Sequence, residues 1–330
     1  MNHPHRSTLR TRLAALPVVA ALLIAGFGLA ACQDGVAEVG GPASLKTTQA
    51  LDILPANAQM VAMLDMKAAR ESGSLGELMQ GDMSPFGKDG SGEMDRLIRL
   101  TGFDPETDVD RIYLSADPDN QSGAMVIYAR FDRERMERAI AEEAPEEMTR
   151  TEIEGVPAWI AQEQEGEAFV FALPNNEMMV AGTEDAVRAM LNRLSSGTKG
   201  LSADSDLMAL VEKARYTENA WAVVRDMTAG GTTAGADPMG QFGALTQSMV
   251  LSMNFAGNGM DVDAFVVPRA GAATSDVADV ARGAVSAMRL QAKDTPELMS
   301  ALDNVSVEEE GAGVRVSGFM PKALMTQTSM

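Results

Sequence analysis

The sequence has 330 residues and carries 47 acidic against 27 basic side chains, a formal net charge of −20. Because so negative a surface repels phosphates, the composition argues against nucleic-acid binding. Both histidines, His3 and His5, lie at the extreme N-terminus, and Cys32 is the single cysteine, so no intramolecular disulfide can form. The rest of the chain therefore has no Ser-His-Asp triad, no Cys-His pair and no His-ligated zinc site.

The N-terminal segment has the pattern of a secretory signal. Residues 1–12 contain three arginines and no acid, and residues 13–31 are apolar and end in small residues. An uncleaved transmembrane helix is the alternative interpretation, since 19 apolar residues are just long enough to span a bilayer. Pro17 and two glycines within this segment favour a cleaved signal over a membrane-spanning helix.

The end of this segment, Leu29-Ala30-Ala31-Cys32, resembles the lipobox of bacterial lipoproteins. The resemblance implies that the chain is cut before Cys32, that its thiol receives diacylglycerol and that the freed amine is acylated, for example by palmitate. Two or three acyl chains hold a protein stably on a membrane. Gln33 follows the cysteine in place of an aspartate, which by resemblance to lipoprotein sorting implies the outer membrane of a diderm bacterium, facing the periplasm or the cell surface.

Cleavage before Cys32 removes three arginines and no acid, which leaves 24 basic and 47 acidic residues and a net charge of −23. Residues 33–49 show no hydrophobic periodicity and are predicted to form a flexible tether. Together with the lipidated Cys32 they make a linker of residues 32–49. The folded part is expected to begin near residue 50. It is predicted to be α+β, with two related modules at 50–200 and 201–325, each an antiparallel, hairpin-rich sheet with helices packed on one face.

Hydrophobic periodicity places the elements of the first module. They are a strand at 60–66, a helical stretch at 74–100, a hairpin at 110–130, a helix at 132–143 and a hairpin at 150–164. A further strand pair and helix over 167–196 is interpreted as an addition without a counterpart in the second module. Thr183 is the expected N-cap of that last helix, and Gly197 is expected to end it.

The second module repeats this order. Its elements are a strand at 220–226, a short helix at 237–246, a hairpin at 248–267, a helix at 276–290 and a hairpin at 304–319. Asn258-Gly259 between two alternating runs predicts a type I′ turn, whose two central residues both need φ > 0. The glycine-rich segment 230–235 lacks the lysine of a phosphate-binding loop and is interpreted as a connection.

Three short segments carry a family resemblance. Leu54-Pro55-Ala56-Asn57-Ala58, residues 101–105 (Thr-Gly-Phe-Asp-Pro) and residues 181–187 (Ala-Gly-Thr-Glu-Asp-Ala-Val) are similar to exported bacterial proteins classed only as domains of unknown function. The similarity is patterned over most of residues 50–320. It implies an architecture and no catalytic residues.

Two acidic segments are the candidates for a metal site. The first has acids at alternate positions, Asp104, Glu106, Asp108 and Asp110, and the second contains Asp117 and Asp119. Carboxylate oxygens in such loops can ligate calcium. The spacing of an EF-hand, with glycine at its sixth position, is absent from both, so turn and helix-capping chemistry is the favoured interpretation.

Methionine and tryptophan raise two further alternatives. The 24 methionines could bind Cu(I) through sulfur, but they are scattered at core-like positions, where a flexible side chain fills space. Trp159 and Trp221 could be ligand platforms, but both lie within strand patterns that predict burial.

Two classes of function remain. The first is a membrane-anchored, non-enzymatic lipoprotein that binds or scaffolds an envelope protein, lipid or polymer. The second is an enzyme that uses paired carboxylates or an oxygen-ligated metal. The absence of histidine and free cysteine from the mature chain favours the first class, and no cofactor is expected.

Overall fold

The structure is a computed structural model of the chain. It describes residues 45–73, 98–120, 122–143, 148–161, 168–214, 219–227 and 238–325. The predicted signal, Cys32, the tether as far as residue 44, most of the helical stretch 74–100 and the glycine-rich segment 230–235 lie outside the described residues. Within the described ranges, no helix has the length and apolar character needed to cross a membrane.

The described part of the chain contains twelve strands and several helices. The strands are β1 (Met60–Asp65), β2 (Val109–Asp117), β3 (Ser122–Ala129), β4 (Met148–Ile153), β5 (Val156–Ala161), β6 (Phe169–Ala172), β7 (Met178–Thr183), β8 (Ala220–Val224), β9 (Thr246–Ala256), β10 (Gly259–Pro268), β11 (Ser306–Glu310) and β12 (Gly313–Pro321). The helices are α1 (Leu45–Ile53), α2 (Met66–Glu71), α3 (Pro105–Asp108), α4 (Arg133–Glu143), α5 (Glu184–Ser196), α6 (Ser205–Val211), α7 (Pro238–Leu245), α8 (Thr274–Gln291), α9 (Pro296–Asp303) and α10 (Lys322–Met325).

These twelve strands form one antiparallel sheet in the order β11-β12-β10-β9-β8-β1-β2-β3-β7-β6-β5-β4. The predicted α+β class with antiparallel sheet is confirmed. Strands from residues 60–183 make one half of the sheet, strands from residues 220–321 make the other, and β1 pairs with β8 in the middle. The two predicted modules thus share one sheet, and their division into separate units stays a prediction.

The order of strands corrects the expected match between the two halves. Counted outward from the middle, β8-β9-β10-β12-β11 has the same pattern as β1-β2-β3-β7-β6. The counterpart of the β11–β12 hairpin is therefore β6–β7, and the additional hairpin is β4–β5. The sequence instead predicted β4–β5 as the counterpart of β11–β12 and β6–β7 as the addition. The reason is that β4–β5 comes first along the chain, although it lies outermost in the sheet.

Helices cover both faces of the sheet, which corrects the predicted packing on one face, because apolar strand residues point to both faces. Val61 and Tyr113 belong to a buried cluster with residues of α1 and α5. Leu64 and Ile112 are next in sequence to Met63 and Tyr113 of that cluster and therefore point to the other face. There they pack in a second cluster with Met66 of α2. Farther along that second face, α8 covers the strands of the second half of the sheet.

Methionine and tryptophan side chains fill these clusters. Trp159 and Trp221 are each 1% exposed, which confirms their predicted burial. Several methionines from both halves of the sheet are also buried, among them Met66, Met178, Met190, Met249 and Met260. Space filling in the core accounts for these residues.

The first helix corrects the predicted tether. Residues 45–49 were expected to belong to it, but α1 begins at Leu45. Thr47 is 5% exposed, and its hydroxyl lies 2.8 Å from the hydroxyl of Tyr113 on β2. The phenol of Tyr128 donates to the carbonyl of Lys46 at 3.1 Å. The helix is stabilised by strands far away in sequence, so local periodicity could not reveal it.

One predicted turn also differs from the structure. Ala256 pairs with Gly259, so the two central turn residues are Gly257 and Asn258, and neither has positive φ. The predicted type I′ turn at Asn258-Gly259 is therefore wrong. The two positive φ angles of a type I′ turn occur instead in the β4–β5 hairpin, at Glu154 with φ 52° and Gly155 with φ 76°.

The ends of α5 follow the prediction at one end only. Gly197 has φ 69° and ends the helix, as predicted. Thr183 occupies the N-cap position, but its side chain makes no capping hydrogen bond.

Candidate functional site

The first predicted metal segment is the short helix α3 and its two ends. Asp104 caps this helix by accepting a hydrogen bond from the backbone N–H of Glu106 at 2.9 Å. Asp108 accepts from the backbone N–H of Asp104 at 3.0 Å. These contacts are the capping chemistry that the sequence favoured.

Arginines neutralise the same segment. Arg70 and Arg130 lie 3.5 Å and 3.7 Å from the Oδ1 atom of Asp110, and Arg130 also lies 3.9 Å from Asp108. Arg70 further donates to the carbonyls of Glu106 at 3.0 Å and Val109 at 2.6 Å. The acids are thus held beside two guanidinium groups, which oppose the approach of a cation.

The second predicted metal segment is the loop after β2. Asp117 is 5% exposed and accepts from the side-chain amides of Asn57 at 3.0 Å and Asn120 at 2.6 Å. Asp119 is exposed on the same loop. Across the described ranges, no group of three or more His, Cys, Asp or Glu side chains is placed to hold a metal ion.

A groove of about 300 Å³ lies elsewhere, between α6 and the second half of the sheet. Three parts of the chain form its walls and floor. They are the α6 side with Asp206, Ala209, Leu210 and Lys213, the β10 residues Phe265 and Val267, and the β11–β12 turn with Glu310, Gly311 and Ala312.

The floor of the groove is the ring of Phe265. Phe265 is 4% exposed and lies over Gly313 of the neighbouring strand. A Cβ atom at Gly313 would lie 2.5 Å from Cζ of Phe265 and 2.7 Å from the carbonyl oxygen of Val266. Glycine at this position therefore leaves the space that the ring occupies.

Two cations contact the ring. The Nζ atom of Lys213 and the Cζ atom of Arg315 each lie 5.3 Å from the ring centre of Phe265, within the range of a cation–π contact. Arg315 is paired with Asp263 on β10 and Glu310 on β11. The hydrogen bonds that Glu310 accepts raise the pKa of the Arg315 guanidinium, against the opposing effect of burial, and Asp263 adds to the rise.

The rim of the groove carries exposed charges of both signs. Lys213 makes no ion pair within 4 Å in the described part of the chain, so its ammonium group faces the groove with only the ring as a partner. Asp206 is exposed on the same wall. The groove thus combines an aromatic floor, one accessible cation and nearby carboxylates.

Sequence reasoning missed this site. The alternation of Met260, Val262, Ala264 and Val266 drew attention to the opposite face of β10. The signal that could have found it is the second alternating series of that strand, Asp261, Asp263 and Phe265, which faces Arg315 in β12. Lys213 gives no such signal, because only the tertiary fold brings α6 to the strand.

Comparisons with known proteins give a likeness in fold alone. No family model matches the chain, and no curated protein is similar to it. Crystal form III of TP0453 is 9% identical over 84% of this chain and 96% of that chain, with a TM-score of 0.52. Crystal form IV of TP0453 is 9% identical over 85% of this chain and 96% of that chain, with a TM-score of 0.51.

Proposed function

We propose that the protein is an envelope lipoprotein, held on a membrane by lipid on Cys32, that binds or scaffolds an envelope partner without catalysing a reaction. The resemblance of Leu29-Ala30-Ala31-Cys32 to a lipobox supports the location, and Gln33 after the cysteine favours the outer membrane as the destination. The groove beneath α6 supports the binding role, and it is the observation that carries this proposal.

The chemistry of the groove suits recognition. A volume of about 300 Å³ accommodates a side chain or one unit of a polymer, and the aromatic floor offers it apolar contact. The ammonium of Lys213 attracts an anionic group beside that apolar part. We therefore propose that the groove receives an exposed segment of the partner that carries a negative charge next to an apolar group.

The carboxylates near the groove suit catalysis less well. Asp263 and Glu310 both pair with the guanidinium of Arg315. A carboxyl group that acts as a general acid has to donate a proton to its substrate, and these two side chains face an arginine instead. A carboxylate enzyme thus has no specific observation in its favour.

The anchoring part of the proposal predicts the behaviour of Cys32→Ser. Without the thiol there is no site for diacylglycerol, so the variant should leave the membrane fraction or accumulate as the uncleaved precursor. Fractionation of cells and the mass of the mature N-terminus measure the two outcomes. A variant that is cut at the normal place and stays on the membrane would contradict lipid anchoring.

The binding part predicts a discrete crosslink from the groove in intact cells. A photoreactive amino acid at Ala209, which is exposed on the groove wall, should give one adduct of defined mass. The same amino acid at Ser195, exposed on α5, is the matched control position. Lys213→Glu should reduce the Ala209 adduct, whereas Lys199→Glu, which makes the same charge change outside the groove, should not. Equal adducts from both positions would remove the groove as the binding site.

A further inference from the structure

The two edges of the sheet, β11 and β4, are built differently. In an antiparallel hairpin the residues beside a two-residue turn exchange hydrogen bonds, and backbone groups then alternate between inward and outward along the strand. Glu310 pairs with Gly313 and Ile153 pairs with Val156 across such turns. Val307 and Glu309 therefore direct their backbone groups outward from β11, and alternate residues of β4 do the same from the other edge.

The β11 edge is protected against pairing. The outward carbonyl of Val307 accepts a hydrogen bond from Nη2 of Arg282 on α8 at 3.3 Å. Glu308, Glu309 and Glu310 follow in succession. A second strand of the same sequence would meet like charges in an antiparallel pairing centred on any of these three residues, and such pairs are destabilising.

The β4 edge has no such protection. Met148, Arg150 and Glu152 direct their backbone N–H and C=O groups outward, and no hydrogen bond reaches these groups from the described part of the chain. Arg150 and Glu152 lie on the same face of the strand, two positions apart. Arg150 lies 3.4 Å from Glu137 of α4, but its side chain is 61% exposed and its guanidinium stays accessible.

We propose that β4 pairs antiparallel with β4 of a second copy of this chain, with the two-fold axis at Thr151. In this register Arg150 lies opposite Glu152 of the other copy, and the reverse pair lies on the other side of the axis. Both residues direct their backbone groups outward, so each of these two positions forms a hydrogen-bonded pair. The pairing extends the sheet continuously from one copy into the next.

Charge complementarity selects this register. An axis at Arg150 would place two arginines directly opposite each other, and an axis at Glu152 would place two glutamates opposite each other. Opposite charges in directly facing positions stabilise a strand pair, and like charges destabilise it. Because a chain with net charge −20 repels its own copy at long range, specific local attraction of this kind is needed for association.

The proposal predicts a site-specific disulfide in the full-length chain. Thr151→Cys places two thiols at a non-hydrogen-bonded pair, where the Cα atoms are about 4.5 Å apart and a disulfide can form. Mild oxidation should then give a covalent dimer on a non-reducing gel. In Thr149→Cys the two positions are separated by four residues along the strands, about 13 Å, so no dimer should form. The parent chain, whose single cysteine is Cys32, is the control for any disulfide formed through that thiol. The test therefore does not depend on whether Cys32 carries a lipid.

Charge reversal tests the register. Arg150→Glu in the Thr151→Cys chain should lower the yield of covalent dimer about tenfold, because two attractive pairs become repulsive. Adding Glu152→Arg exchanges the two charges and should restore the dimer, although it does not restore the contact of residue 150 with Glu137. Thermal unfolding of each variant confirms that it is folded. Equal yields of dimer from the Thr151→Cys and Thr149→Cys chains would overturn the proposal, as would a yield that Arg150→Glu does not change. A mixed disulfide of another mass would also overturn it and would show that the β4 edge binds a different protein.

Discussion

Gly259 lies at the start of β10, where two strands approach closely. A Cβ atom there would overlap the carbonyl oxygen of Met320 and lie 2.5 Å from Cζ of Phe319. The constraint on this residue is therefore steric, since its φ is not positive. The sequence assigned Gly259 to a tight turn, because the contacts between β10 and β12 cannot be read from local sequence.

Gly259→Val should lower the free energy of unfolding by about 1–3 kcal/mol, the usual cost of forcing atoms into packed space. Gly257→Ala is the matched control, because a Cβ at Gly257 has no heavy atom within 4 Å and its φ is not positive. Denaturant unfolding of both variants measures the difference. Equal midpoints would show that β12 does not pack against Gly259.

At the scale of single elements, alternation and helical periodicity predicted most of the strands and the helices α4, α5, α7 and α8. These patterns are local, and burial of one face determines them. What could not be predicted depends on distant contacts. Tyr113 and Tyr128 hold α1 on the sheet, and burial raises the pKa of both phenols above the usual value. The position of β4–β5 at the sheet edge also has no local signal.

The helix α6, which forms one wall of the groove, depends on its N-cap. Asp204 accepts hydrogen bonds from the backbone N–H of Leu207 at 3.0 Å and of Asp206 at 3.1 Å. Arg225 contacts the same carboxylate at 2.6 Å and 3.1 Å. The bond from Leu207, together with the charge of Arg225, lowers the pKa of Asp204. The carboxylate thus fixes α6 to the end of β8.

Asp204→Asn should destabilise the protein by about 1 kcal/mol at pH 7, because asparagine keeps the cap and loses the charged pair. The folded pKa lies below the unfolded value of about 4, so this stabilisation is complete above pH 4 and is lost as the pH falls further. The unfolding midpoints of the variant and the parent should therefore converge as the pH falls below about 4. Glu134→Gln, at a side chain that is 89% exposed, is the control and should change little. A difference independent of pH would contradict the charged role of Asp204.

At the scale of the whole molecule, charge is the dominant feature. From Cys32 onward the chain carries a net charge of −23. Folding brings these like charges together on one surface, and their repulsion opposes the compact state. Many of the acids lie in ion pairs, such as Asp110 with Arg70 and Arg130, but the excess of acids over bases leaves most of the repulsion in place.

Salt should therefore stabilise the protein. The screening length falls from about 10 Å at 0.1 M to about 3 Å at 1 M salt, so repulsion between surface acids weakens. A soluble chain that begins before Leu45 should unfold at a higher temperature in molar NaCl than in dilute buffer. The chain must keep residues 45–49, since a start at residue 50 would cut α1 and remove Thr47 from its contact with Tyr113.

Calcium at millimolar concentration and constant ionic strength should add little to the unfolding temperature, because Asp110 faces two arginines and Asp117 is bonded to Asn57 and Asn120. A large rise specific to calcium would restore one of these loops as a metal site, and no response to either salt would show that the acids are already paired or well separated.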